Sequence, residues 1–142
     1  MRRISILLAV FAMVGVGSIP AASAVPPEQI TITTAPGEFR SNIADCPTGT
    51  WVDELVGITG NFEKAILNIK VRKTLTCSTG HEFVIHFQPK VRGVPLPQSG
   101  PWRIVEGAIG GESLHGTGRM SLEFDKELGY PVEVFTGRVH IG

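Results

Sequence analysis

The chain has 142 residues, 42% of them apolar and 18% charged, with 17 Gly, 10 Pro and two Cys. That length suits a single domain, and that apolar content excludes a disordered or collagen-like chain. Thirteen basic residues stand against 13 acidic ones, scattered along the sequence, so the chain offers no electrostatic footprint for nucleic acid.

Arg2 and Arg3 precede an apolar stretch from Ile4 to Gly17, and the small residues Ala22-Ser23-Ala24 follow. A basic start, an apolar middle and an A-x-A end make residues 1–24 a secretory signal peptide, with cleavage expected between Ala24 and Val25. The stretch is shorter than the ~20 residues that cross a bilayer. An uncleaved anchor is the lesser alternative, because Pro20 and the small residues beyond it suit peptidase access better than a helix end. The expected product is a single secreted, extracellular domain, residues 25–142, with no stable membrane anchor. Removing Arg2 and Arg3 from the 13 basic residues leaves 11 against 13 acidic, so this product is slightly acidic.

Cys46 and Cys77 both remain after cleavage, in an oxidising compartment, and one intramolecular disulfide is the natural pairing. Closing that loop removes roughly 3 to 4 kcal/mol of unfolded-state freedom, a large share of a marginal domain's stability. Without C-x-x-C spacing, neither a zinc site nor a thioredoxin-like site is expected.

Past the extended VPPEQ lead-in, Ile30 and Ile32 alternate with Thr31 and Thr33, the rhythm of a half-buried strand. Residues 35–50 are rich in turn formers around Cys46. Trp51 to Ile58 reads as a second strand, ended by Thr59-Gly60-Asn61. From Lys64 to Cys77, Ala65, Leu67, Ile69 and Val71 share one parity while Lys64, Asn68, Lys70 and Arg72 share the other; a short helix over 62–70 is the alternative. After a turn at residues 78–81, Phe83, Ile85 and Phe87 alternate with Glu82, His86 and Gln88, the clearest strand in the chain. A long Pro- and Gly-rich loop over 89–101 precedes strands at Trp102 to Glu106, Arg119 to Phe124 and Val132 to Ile141. The last changes parity between Val134 and Phe135 near Gly137, which predicts a β-bulge or bend. Short alternating runs between Gly/Pro turns, with no helix long enough to cross between parallel strands, predict an all-β fold. The expected form is an antiparallel sheet, closed into a small β-barrel or packed as a β-sandwich, and the pattern fits either.

The segment WRIVEGAIGGESLHGTGR, Trp102 to Arg119, resembles small exported actinobacterial proteins of the allene oxide cyclase-like barrel group, which resembles plant dirigent proteins in fold. Trp102, Ile104 and Gly107 match the incoming strand of that group, and Leu114, Gly116 and Gly118 match its Leu-x-Gly-x-Gly exit. Ala108, Ile109 and Gly111 depart from its middle. The resemblance implies a barrel rather than a sandwich and imports no activity. Independently of it, Gly107, Gly110, Gly111, Gly116 and Gly118 permit positive φ or close backbone approach in a tight connection.

No arrangement of side chains here specifies catalysis. His81-Glu82 and His86 have H-E-x-x-x-H spacing on an alternating strand, where positions five apart face opposite sides and do not share a metal. Ser113 near His115 lacks the G-x-S-x-G elbow. His86, Arg103 and Arg119 are the candidate binding residues: at a barrel mouth they would form a polar cluster suited to a small acidic or polar ligand, against the plainer alternative of a solvated sheet face. Trp51 and Trp102 read as packing residues. No cofactor and no metal are implied. The expected function is an exported, non-catalytic barrel that binds a small molecule or another extracellular component such as a protein. The alternative is a cofactor-free isomerase or cyclase acting in an open barrel interior.

Overall fold

A computed structural model describes residues 28–93 and 99–142, so the expected signal peptide and its cleavage point between Ala24 and Val25 lie outside the described residues. The described chain forms β1 (Glu28–Ala35), β2 (Glu38–Ser41), β3 (Thr48–Asn61), β4 (Ile66–Cys77), β5 (Glu82–Phe87), β6 (Lys90–Arg92), β7 (Gly100–Ile109), β8 (Glu112–Asp125) and β9 (Tyr130–Ile141). All pairings are antiparallel, in the order β3-β2-β1-β9-β8-β7-β5-β4, and β4 returns to β3 to close an eight-stranded barrel. The barrel, not the sandwich, is the architecture. β6 lies outside the ring, on residues Ile66–Asn68 of β4.

Chain rhythm explains most of these elements. Residues 62–65 form the turn between β3 and β4, and the helix alternative over 62–70 is absent. β3 runs on through Thr59-Gly60-Asn61, since Ile58, Thr59 and Gly60 keep pairing with Ile69, Asn68 and Leu67. β2 sits inside the stretch expected to be turns, its Phe39 buried between exposed Glu38 and Arg40.

The expected bulge in β9 does not exist. β9 pairs residue for residue with both β1 and β8. Phe135 points inward while Val132 and Val134, of opposite parity, are also buried, so the change of rhythm marks a strand covered on both sides rather than a kinked one. The irregularities lie elsewhere, at Leu55/Gly57 in β3 and between Arg103 and Ala108 in β7.

An eight-stranded ring leaves an interior just wide enough for side chains to fill. Here Ile30, Ile32, Phe39, Leu75, Phe83, Ile85, Phe87, Trp102, Met120 and Phe135 fill it. Phe87 and Phe135 meet edge to face at 5.1 Å, and Trp102 meets Phe135 at 6.3 Å. Trp102, Gly118 and Gly137 are directly opposed on β7, β8 and β9. A side chain at Gly137 would collide with the indole, one at Gly118 would collide with the backbone of Thr136 and Gly137, and the indole Nε1 donates to the Thr136 carbonyl at 3.0 Å. Phe39 covers Gly49 in the same way. Gly110 and Gly111, with φ of 62° and 82°, make the two-residue turn from β7 to β8, which requires positive φ at both positions. The Cys46–Cys77 disulfide, buried and spanning 31 residues, ties the loop after β2 to the end of β4.

Candidate functional site

His86, Arg103 and Arg119 stand on one surface of the barrel. That surface is the outer wall, not the mouth where the sequence pattern suggested they could gather. Their strands alternate, and Phe87, Trp102 and Met120 take the inward positions next to them, so the polar neighbours turn out. The three line a shallow depression of about 490 Å³ together with Lys70, Gln88 and Thr117.

Strand register makes this wall basic. Arg72 lies opposite His86, His86 opposite Arg103, Arg103 opposite Thr117, and Thr117 opposite Arg138. Arg72 and Arg103 thus flank His86 on its two neighbouring strands, and Arg103 and Arg138 flank Thr117. Among the described residues the wall's one ion pair is Arg72 with Glu106, 3.0 Å apart; Lys70, Arg103, Arg119 and Arg138 have no carboxylate within 4.0 Å. Nε2 of half-buried His86 is shielded from water and has no hydrogen-bond partner among the described residues.

A second polar cluster lies inside the barrel. Lys73 occupies an inward position on β4 between Val71 and Leu75 and is 0% exposed. Its Nζ stands 2.8 Å from Asp53 Oδ1 and 3.0 Å from Glu133 Oε1. Both are close contacts between opposite charges. Nζ also lies 3.5 Å from the centre of the Trp51 ring, a cation–π contact, with Phe87 farther off at 5.5 Å. Thr34 Oγ1 donates to Glu133 Oε1 at 3.0 Å, and Trp51 Nε1 donates to the Ala35 carbonyl at 2.6 Å. Burial pushes the Asp53 carboxyl above the usual carboxylate range despite the pull of Lys73, and Glu133 nearby adds to the rise.

Sequence reasoning missed this cluster, although a signal for it exists. Lys73 extends the parity of Ile69 and Val71, and Glu133 that of Phe135, so each is a charged residue in an apolar file. Elsewhere, His81 precedes β5 in a turn, apart from His86 on the wall. His115 and His140 form a cross-strand pair on β8 and β9 with rings stacked at 5.0 Å.

Compared with protein families, with curated proteins and with solved structures, the chain finds no match.

Proposed function

We propose that the protein is an exported, non-catalytic barrel that holds an acidic small molecule or an acidic extracellular component on its outer wall, at Lys70, His86, Arg103 and Arg119. The observation that carries this reading is the gathering of Lys70, His86, Arg103 and Arg119 around one depression, while the row's carboxylates, Glu54 and Glu106, both fall beside Arg72. An anion there would neutralise cations that have no carboxylate of their own, and guanidinium groups suit carboxylate, sulfate or phosphate geometry.

Export is part of the proposal. It rests on the signal-like start of the sequence and agrees with a disulfide that an oxidising compartment would maintain. Kinship with the allene oxide cyclase-like barrels is likewise proposed, on the residues from Trp102 to Gly118 and the closed eight-stranded ring. The interior supports the non-catalytic reading over the cyclase one: a cyclase needs an open cavity on the order of 300 Å³ or more, whereas aromatic and aliphatic side chains occupy this one.

Native mass spectrometry of the protein purified from its own culture medium, followed by calorimetric titration with a small polycarboxylate at low and raised salt, tests the reading. A bound anion or salt-sensitive binding is expected. Binding that is indifferent to salt, or unchanged when Arg103 and Arg119 are both replaced by Ala, would refute it.

A further inference from the structure

The barrel is closed unevenly. The seam between β2 and β3 holds only three residue pairs, Glu38 with Thr50, Phe39 with Gly49 and Arg40 with Thr48. β3 continues for 11 more residues, Trp51–Asn61, paired with β4 along one edge. Among the described residues, no strand pairs with the other edge of that stretch. Its N–H and C=O groups form a template for a further strand.

Of the devices that blunt natural edges, Trp51–Asn61 has an inward charge at Asp53, Glu54 beside it and a bulge at Val56, all within its first six residues, and it lacks Lys and Pro. It carries instead exposed Val52 (70%), Leu55 (58%), Val56 (55%) and Ile58 (38%). We propose that this edge pairs with the same edge of a second copy, forming a two-fold, antiparallel β3–β3 dimer that is separate from the basic wall.

Two features select a second copy running antiparallel. Charge along the stretch is lopsided: Asp53 and Glu54 lie in its first half, and Gly57–Asn61 carries no charge. With a two-fold axis between Val56 and Gly57, which sets outward residues opposite outward ones, the acidic half of one copy faces the neutral half of the other, so Glu54 meets Thr59 of the partner subunit. A parallel arrangement would set Asp53 against Asp53 of the partner subunit, with like charges opposed. The irregularity of β3 also falls at that axis. The extra residue is Val56, which shifts the alternation by one, so that Asp53 and Leu55, at inward positions, fall opposite the inward positions Gly60 and Ile58 of the partner subunit.

Sedimentation velocity of the secreted, disulfide-intact protein over a wide dilution series tests the dimer. A species of twice the chain mass is expected, dissociating on dilution. Val52→Lys and Val56→Lys, both at exposed sites, should halve that mass while leaving the far-ultraviolet circular dichroism unchanged. In hydrogen exchange, amides within residues 52–60 should exchange more slowly at high concentration than at low. A wild-type protein that stays monomeric throughout overturns the proposal. So does a dimer that survives both substitutions, or concentration-dependent protection that maps elsewhere, for instance around Phe62 or Phe124.

Discussion

The two ends of the barrel interior solve the same packing problem differently. Around Phe39, Phe83 and the Cys46–Cys77 bridge, the filling is wholly apolar, and Phe39 meets Phe83 edge to face at 6.4 Å. Toward the end where β3 loses its neighbour, the filling includes a buried ammonium group, two carboxylates and a threonine. The apolar end has a covalent tie and two complementary Gly–aromatic contacts, Phe39 on Gly49 and Phe83 on Gly107, that leave little choice of arrangement. At the polar end, charges bind β3, β4, β9 and β1 together beside the three-pair seam. A buried ion cluster is costly compared with apolar packing of equal volume, so the contrast points to position rather than to net stability: Lys73 holds walls where the ladder is shortest.

Removing the cation should give the largest effect. Lys73→Met leaves Asp53 and Glu133 facing each other across an apolar space, and urea unfolding should report a loss of about 3 to 5 kcal/mol. The triple variant Lys73→Met, Asp53→Asn, Glu133→Gln removes both the charge and the repulsion and should recover most of that loss. If the triple variant is no better than the single one, the ammonium's own contacts with Trp51 and Phe87 dominate, and the assignment of a clamping role to the three charges fails. At the other end, replacing Cys46 and Cys77 together by Ala should cost roughly 3 to 4 kcal/mol through the freed unfolded chain. A loss much smaller than that would place the stability of the closed end in its aromatic packing.

The two ends also differ in how much of them is written in the sequence. The apolar end was legible because alternation of Phe83, Ile85 and Phe87 needs only the period of a strand, and because two cysteines allow one intramolecular pairing. The outward placement of His86 and Arg103 follows from the same period once the neighbouring aromatics are taken as core. That Arg119 lies alongside does not follow: it depends on which strands adjoin and in what register, and register is set by long-range pairing. Lys73 was obscured for a different reason. Composition treats lysine as a surface residue, and only the partners supplied by β3 and β9, far off in sequence, make its burial tolerable. β9 misled because burial on both faces imitates a slip in rhythm.

The polar end should be sensitive to pH in a way the apolar end is not. Because burial raises the Asp53 carboxyl above its ordinary value of 3.8, the folded chain holds that proton more tightly than the unfolded one. Between 3.8 and the higher folded value, the folded state therefore carries more protons, and stability falls as pH rises through that window. Acidification through it adds stability from this group. Urea melts of wild type and Asp53→Asn over a pH series should show wild type gaining on the variant as pH falls toward 3.8. The opposite trend would mean that attraction to Lys73 outweighs desolvation at this carboxyl.

The outer wall should respond least in stability and most in binding. Arg103 and Arg119 are exposed, and His86 is half-buried with an unpartnered Nε2. Truncating His86 or Arg103 to Ala therefore removes no ion pair, and His86→Ala also removes an unsatisfied polar atom. Each change should shift unfolding by no more than about 0.5 kcal/mol. The same Arg103→Ala and Arg119→Ala changes should each weaken a polycarboxylate by about tenfold, since loss of one well-placed charged contact of ~1.4 kcal/mol has that effect. Binding lost in step with a large fall in stability would instead assign these side chains to holding the wall together. Separating the two readouts in one pair of variants decides between a ligand-facing surface and a solvated sheet face.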